Sequence, residues 1–392
     1  MKTLAAIDNR IKVADRKVRL LSRLNPLNAK NEFKKFFTAY RLGKTYNPAF
    51  RYKPIKTDLA ALARELKNLV IEVPPAKNER WFFTRHLENK RRRIIAKIRA
   101  LNSRGTSKFK NHSRQLFGSP SSSQVAYAHR ILGSSASRHS FMEIADSLSS
   151  RDAAISLQKY LCKRGLSWQV RIRANISSKA GLDSRSQYLL VRAGENFAPE
   201  EILSLAVHEV ETHIYRRENG VRQNFPGLFS EGFGGPPTTE EGLALFNESQ
   251  YNYDPRRLNI ACARTLAVHY AKNRPFFYIF DKLRNYGIPD TYAWAATLRA
   301  KRGLSDTSRP GGFNKDHHYL KGYLEIKRFI ENGGNLESLY IGKLNIGNIR
   351  TLELLKISVV KPKYLPIGLI RPVELEYDNQ PRFAQTIFQG KH

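Results

Sequence analysis

The stretch LAVHEVETHIYRR, residues 205–217, places His208 and His213 five positions apart, with Glu209 directly after the first histidine. On a regular helix each residue turns about 100°, so side chains five apart diverge by about 140°. Imidazoles pointing that far apart do not meet a single ion. A spacing of four, as in H-E-x-x-H, puts both rings on one face. A spacing of five does so only where one turn is widened by a residue, the i→i+5 geometry of a π-bulge, which is rare and often found at functional sites. The spacing therefore predicts a local π-turn between His208 and His213, with the inserted residue bulging outward. The plainer alternatives are two unrelated histidines on a surface helix, or a helix-stabilising contact between Glu209 and His213 at i, i+4. A zinc site also needs a third protein ligand.

The flanking sequence says where such a turn sits. Pro199 suits the start of a helix, with Glu200 and Glu201 in its first turn and Asn219-Gly220 as a stop, so a helix is expected over residues 199–217. Before it, residues 167–176 alternate, with Trp168, Val170, Ile172 and Ala174 on one face, and residues 186–193 read as a second strand. Residues 187–192 would offer an exposed edge to an extended substrate backbone. After it, PPTTEEGLALF, residues 236–246, opens a helix capped by Thr238 or Thr239, with Glu240 and Glu241 in the first turns. The loop over residues 225–237 lets that helix fold back. Two histidines from one helix and a glutamate from the next make the His₂Glu set of thermolysin-type sites, with the fourth position left to water. Otherwise an acidic pair at a helix start is ordinary dipole complementation.

Much of the remaining chain is helical in pattern. Residues 1–45 read as basic helical segments. Residues 58–70 carry Leu59, Leu62, Leu66 and Leu69 on one side, and a basic helix is expected over residues 81–102. Residues 117–124 read as a loop, and helical patterns resume from about residues 141 and 153 to about residue 356. The fold class is α+β, mostly helical, with a small sheet beside the histidine-bearing helix.

Charge and composition narrow the partners. Lys and Arg number 67 against 34 Asp and Glu, and residues 1–120 alone hold 30 basic and 8 acidic side chains. Such a surface attracts polyanions: nucleic acid, an anionic membrane or an acidic protein tail. One alternative function is therefore a basic polyanion- or nucleic-acid-binding protein with a structural or inactive metal site, although no RRM, zinc-finger or helix-turn-helix signature supports it. With 21 Phe and 18 Tyr the chain can bury a substantial core. No apolar run approaches the roughly 18 residues of a membrane span. The N-terminus lacks an apolar signal core. It is basic and amphipathic like a mitochondrial targeting peptide, but Asp8 and Asp15 count against that, and a cytosolic protein is expected. Cys162 and Cys262 are too far apart in sequence for a disulfide framework or a cysteine zinc site, so any metal must be held by His, Glu or Asp.

H-E-x-x-x-H followed by E-E-G-L-A resembles the microtubule-associated tyrosine carboxypeptidases and their bacterial relatives, the flavohemoglobin expression-modulating QEGLA-motif proteins. A third segment, RAKRGLSDTSRPGGFNKDHHYLKG, residues 299–322, is similar to a family block of R-G…D-T…P-G-G-F-x-K-D…Y-L-x-G form. The similarity runs from about residue 47 to about residue 347. The resemblance implies a zincin-like metallopeptidase core and one Zn²⁺ per chain. By it, His208, His213 and Glu241 are the zinc ligands, Glu240 stands where the family accepts Gln, and Glu209 is the catalytic carboxylate. The implied domains are a basic helical extension over residues 1–55, a catalytic domain over 56–360 and an irregular tail over 361–392. Two departures matter. Glu211 stands where family members usually carry a small residue, and a carboxylate there would either face solvent on the bulge or alter the field at the metal. The basic N-terminal region matches the family poorly, so tubulin binding does not carry over.

The implied chemistry is hydrolysis of a C-terminal residue, tyrosine among the options, from a peptide or protein tail that a basic chain would hold if it were acidic. A non-peptide amide is the other substrate class. Zinc lowers the pKa of bound water and polarises a carbonyl, and Glu209 would carry the proton to the leaving amine. The oxyanion donors are sought among Tyr319, Lys315 and His318, with His317 and His318 otherwise reading as helix-surface residues. A terminal carboxylate calls for a bidentate arginine, with Arg222, Arg299 and Arg302 as candidates.

Overall fold

The computed structural model describes residues 2–134, 141, 148–174, 176, 178–251 and 253–366. Helices dominate and sheets are small, so the chain is α+β. Among the described residues no helix is long and apolar enough to cross a membrane.

The three-stranded sheet is built around Tyr188–Arg192. That strand pairs in parallel with Gln169–Arg173 and antiparallel with Ala180–Asp183. The two strands read from the sequence fall within their expected segments. The third went unseen because its four residues, Ala-Gly-Leu-Asp, are too short and too glycine-rich to alternate. Its presence overturns one expectation: residues 187–192 offer no free edge, since Tyr188–Arg192 is paired on both sides. The expected apolar face is also only partly buried. Trp168 is enclosed and Val170 is half-buried, but Ile172 is 40% exposed, because Gln169–Arg173 is an edge strand. Leu189 and Val191 of the central strand are fully buried, and the Ser150–Lys163 helix covers the sheet with Ala153, Leu157 and Leu161.

Residues 2–55 are packed into the body. The Lys2–Val18 helix lays Leu4, Ile11, Ala14 and Val18 on the long Glu79–Asn102 helix. Asp8 and Asp15, a turn-matched seven apart, meet Lys90 and Lys97 on that helix, each at 2.7 Å. Phe36 and Phe37 of the Ala29–Arg41 helix enter a second aromatic cluster with Phe276, Phe280 and Trp294. At the other end, residues 361–366 are irregular and are held by Asn219, whose Oδ1 accepts from the Lys363 and Tyr364 amides at 2.9 and 3.0 Å. Residues 367–392 lie outside the described residues, as does part of the expected helical pattern after residue 141.

Two helices join the apolar clusters. Thr238–Tyr251 gives Leu243 to one and Leu245 to the other, and His318–Glu331 gives Ile326 and Leu320 in the same way. They cross at Gly242 and Gly322. A Cβ on Gly242 would run into the Gly322 backbone, and one on Gly322 into the Thr238 carbonyl. This close approach sets the acidic start of one helix against the third sequence motif at the start of the other.

Gly242→Ala should therefore destabilise the protein by about 1–3 kcal/mol through forced helix separation, read as a drop in urea midpoint. A midpoint unchanged within error would mean that the crossing is looser than described.

Candidate metal centre

The Pro199–Leu205 helix runs without a break into a π-helix over Ala206–Ile214, and α-helix resumes over Tyr215–Val221. The widening spans nine residues rather than one turn. The rings of His208 and His213 stand 4.8 Å apart between centroids, at 82°. Thr212 Oγ1 donates to the Val207 carbonyl, five residues back, at 3.1 Å, which ties a side chain across the wide turn. Asn247 Nδ2 donates in turn to Thr212 Oγ1 at 2.7 Å and to the Tyr340 hydroxyl at 2.6 Å.

The expectation that the inserted residue would bulge into solvent fails. Of the nine π-helical residues only His213 is partly exposed, so the wide turn passes through the core and has no solvent side. Glu211 is fully buried. It accepts from the Tyr160 hydroxyl at 2.6 Å, Arg164 Nη2 at 3.2 Å and the Tyr251 hydroxyl at 3.2 Å. Burial and the Glu211 charge raise the pKa of Tyr160 and keep it a donor.

Glu240 and Glu241 lie in the first turn of the Thr238–Tyr251 helix. His208, His213 and Glu241 form a group whose ligand atoms all lie within 4.8 Å of one another among the described residues. Glu240 faces the outer side of His213. Its Oε1 lies 2.8 Å from His213 Nδ1 and accepts from Lys343 Nζ at 2.9 Å, and its Oε2 accepts from the fully buried Arg216. Burial works to raise the Glu240 pKa, but Lys343, Arg216 and His213 outweigh it and hold the carboxyl well below its usual range.

His208 has a matching partner. Its Nδ1 lies 3.3 Å from Glu248 Oε2 and 3.2 Å from Arg257 Nη2. A guanidinium only donates, so Nδ1 serves one of the two at a time, and the Nδ1–H tautomer facing Glu248 is the one that an adjoining carboxylate stabilises. Glu248 is itself fixed by Arg257 Nε at 2.7 Å and Ser204 Oγ at 2.8 Å. Against the effect of burial, Arg257 and His208 push its pKa down to about 2. With a carboxylate beside Nδ1 of each ring, the Nε2 atoms are left for a metal, the usual outer-shell arrangement of metal-binding histidines.

The donor set suits zinc. Tetrahedral bonds of about 2.0–2.2 Å hold ligand atoms about 3.4 Å apart, and His208 Nε2 already lies 3.9 Å from Glu241 Oε2. The three ligand atoms, all within 4.8 Å of one another, would have to draw together to meet one ion. Lys315 Nζ donates to Glu241 Oε1 at 2.8 Å. Burial would raise the Glu241 pKa, but Lys315 and the two histidines push it down to about 2, so the carboxylate is ionised as a ligand requires. Glu209 is buried beside His208, and no hydrogen bond or ion pair to its carboxylate is found among the described residues.

The third motif divides. Lys315 and Tyr319 stand at the Glu241 side, with Lys315 Nζ 5.1 Å from the Tyr319 ring centroid. His317 and His318 are not surface residues, since each is 1% exposed. His318 Nδ1 lies 2.7 Å from Thr238 Oγ1 and ties the acidic helix in place, while its Nε2 is buried with no hydrogen-bond partner among the described residues. Arg299 is engaged by Asp316, at 3.0 Å between Nη2 and Oδ1. Arg302 is buried over the Phe313 ring, 3.8 Å from the same carboxylate. Arg222 is exposed at the cap of the Tyr215–Val221 helix, nine residues beyond His213 and roughly 13 Å further along the axis. As carboxylate clamps, Arg299 and Arg302 are committed elsewhere and Arg222 points from the wrong end. Sequence reasoning did not single out Glu248, Arg257 or Arg264. A signal existed: Glu248 follows Glu241 by seven residues, and Arg264 follows Arg257 by seven, each two turns along one helix face.

Comparison with known proteins agrees with the motifs. The family model described as microtubule-associated tyrosine carboxypeptidase matches residues 34–377. The chain is similar to microtubule-associated tyrosine carboxypeptidase 1 of Rattus norvegicus, 38% identical over 151 residues, which cover 37% of this chain and 32% of that protein. The proteins of the same name from Mus musculus and Homo sapiens are each 36% identical over 124 residues, covering 31% of this chain and 26% of theirs. The matches thus span about a third or less of the length of these relatives.

If Glu248 orients His208, Glu248→Ala should weaken zinc binding by about 10–100-fold, measured by competition with a chelator. An unchanged affinity would remove Glu248 from the site. Asp316 gives a stability test. Burial opposes its ionisation, but Arg299 and Arg302 hold its pKa far below the usual range. Its ionised form therefore stabilises the fold above the unfolded value of about 3.9, and this contribution is lost as pH falls. Asp316→Asn should cost about 3–5 kcal/mol at neutral pH. It should also make the urea midpoint fall less steeply than in wild type between pH 5 and 3.

Proposed function

This chain belongs to the microtubule-associated tyrosine carboxypeptidase family, and on that premise we propose that it is a zinc-dependent carboxypeptidase that removes a C-terminal residue, tyrosine foremost, from a peptide or protein tail. The observation that carries this reading is the approach of His208, His213 and Glu241 to within 4.8 Å of one another. The three would hold one Zn²⁺ in a zincin-like core, with Glu240 and Glu248 orienting the rings. Zinc held there supplies Lewis acidity toward a carbonyl and a water of lowered pKa.

The remaining steps belong to the chain's own residues. Glu209 follows His208 on the π-helix, and its carboxylate is free of competing bonds among the described residues. It takes the proton of the attacking water and delivers it to the leaving amine nitrogen. Lys315 and Tyr319, next to each other at the Glu241 side, would supply the donors to a developing oxyanion. Lys315 also keeps Glu241 ionised. Burial of His208, Glu209 and their neighbours limits bulk water at the reacting centre.

The substrate tail is read as acidic. Two adjoining cavities of about 330 and 530 Å³ lie beside the packed Lys2–Val18 and Glu79–Asn102 helices, against residues 231–237. They share Asp15, Arg93 and Lys97, and run from Lys343 and Glu240 at one end to Lys315 at the other. Basic side chains outnumber acidic ones along both, which favours a polyanionic segment leading to the centre. The N-terminal helix on one side of this groove precedes the family-matched residues 34–377, whereas Lys90, Arg93, Lys97, Lys315 and Lys343 lie within them. Free thiols at Cys162 and Cys262 suit a reducing compartment, the cytosol.

Glu209→Gln tests the assignment. Hydrolysis of a tyrosine-ended peptide should fall on the order of 10²–10⁴-fold, with one zinc still bound per chain. Retained hydrolysis would reject the role of Glu209. Salt-sensitive polyanion binding with no peptidase activity in wild type would favour a binding protein with a structural metal.

A further inference from the structure

Five cations surround Tyr319: Arg257, Arg264, Arg299, Arg302 and Lys315. Four of them have a carboxylate. Arg257 has Glu248 at 2.7 Å, Lys315 has Glu241 at 2.8 Å, and Arg299 and Arg302 share Asp316. Arg264 is different. Its guanidinium lies 5.1 Å from the Tyr319 ring centroid, and among the described residues it makes no hydrogen bond and no ion pair. It is only partly exposed. Burial and the neighbouring Arg299 charge push its pKa down to about 10. A partly desolvated guanidinium in the company of like charges is an unmet demand for an anion.

Its position says which anion. Arg257 and Arg264 stand seven residues apart on the Arg256–Ala271 helix, on one face and about 10 Å apart along the axis. Arg257 touches the His208 ring. Tyr319, under Arg264, carries on the same ring the Lys315 ammonium that holds Glu241. Arg257 thus lies between the unpaired guanidinium and His208, and the Tyr319 ring and Lys315 lie between it and Glu241. An unpaired cation on the ring that also carries the Glu241-bound ammonium is placed to meet the carboxylate of a terminal residue whose scissile carbonyl is at the zinc ligands.

We propose that Arg264 is the clamp for the substrate's terminal carboxylate, and that the Tyr319 ring is the floor on which it rests. This rests on the carboxypeptidase reading above and supplies its specificity for a free chain end. The fork of a guanidinium accepts a carboxylate through two parallel hydrogen bonds, which neither an amide nor an internal peptide bond can reproduce. Such a site admits the last residue of a chain and rejects a bond further in, because the cation would otherwise stay partly desolvated and without an anion.

The test compares a labelled tyrosine-ended peptide bearing a free carboxylate with the same peptide as its C-terminal amide. Zinc-loaded wild type should cleave the acid on the order of 100-fold better than the amide. Arg264→Ala should lose most of that factor in kcat/KM for the acid, bringing the ratio of acid to amide near one, with zinc content and melting temperature held. Arg264→Lys, which keeps the charge but not the fork, should fall between. An unchanged ratio in Arg264→Ala overturns the clamp while leaving the hydrolase intact. If zinc-loaded wild type cleaves neither peptide, the carboxypeptidase reading fails, and binding by fluorescence anisotropy still decides the clamp. Preference for the acid that vanishes in Arg264→Ala supports it, and equal binding of both peptides, or none, overturns it.

Discussion

Two imidazoles five residues apart share one side of a helix only if the helix is locally overwide, and the rest of the site depends on that geometry being held. A π-helix of nine residues is unusual, and nothing in Ala206–Ile214 favours it intrinsically. It is held from outside. Glu211 is caged by Tyr160, Arg164 and Tyr251, while Thr212 bridges five residues back to Val207 and is itself held by Asn247. These contacts come from two other helices, Ser150–Lys163 with its Arg164 cap and Thr238–Tyr251, and lie in the core, where a broken polar contact is expensive. Relaxing to α-helical winding would strand them and turn the two rings apart.

The third donor depends on a different device. Glu241 reaches the histidines because Gly242 lets its helix cross Gly322 at backbone distance. The same crossing brings Lys315 to Glu241 and His318 to Thr238. Four carboxylates, Glu240, Glu241, Glu248 and Asp316, lie close together here, each with its own cation. That pairing lets all four stay ionised in a poorly solvated region. It also explains why the histidine Nδ1 atoms find charged acceptors while Glu209 is left unengaged.

The sequence carried the π-turn in the spacing of His208 and His213, the acidic helix in its threonine caps, and the principal strands in their alternation. It carried the family in three ordered motifs. Other features were hidden for physical reasons. The direction of the Glu211 side chain depends on which side of the wide turn meets the core, and spacing holds no such information. The integration of residues 2–55 rests on pairings of Asp8 and Asp15 with Lys90 and Lys97, contacts between residues 82 apart. Their composition reads as a basic helical extension, and Leu4, Ile11, Ala14 and Val18 of the Lys2–Val18 helix are part of the core. Arg299 and Arg302 looked equivalent to Arg264 as isolated letters. Only Asp316, which claims the first two, distinguishes them.

The most direct measurement is the zinc-edge X-ray absorption spectrum of protein loaded with one equivalent of zinc, in wild type and in His213→Ala. The account predicts two imidazole nitrogens at about 2.0–2.1 Å and a carboxylate oxygen at about 2.0–2.2 Å in wild type, with one imidazole lost in the variant. A wild-type spectrum without two imidazoles, or one that His213→Ala leaves unchanged, would contradict the convergence on which the proposal is built.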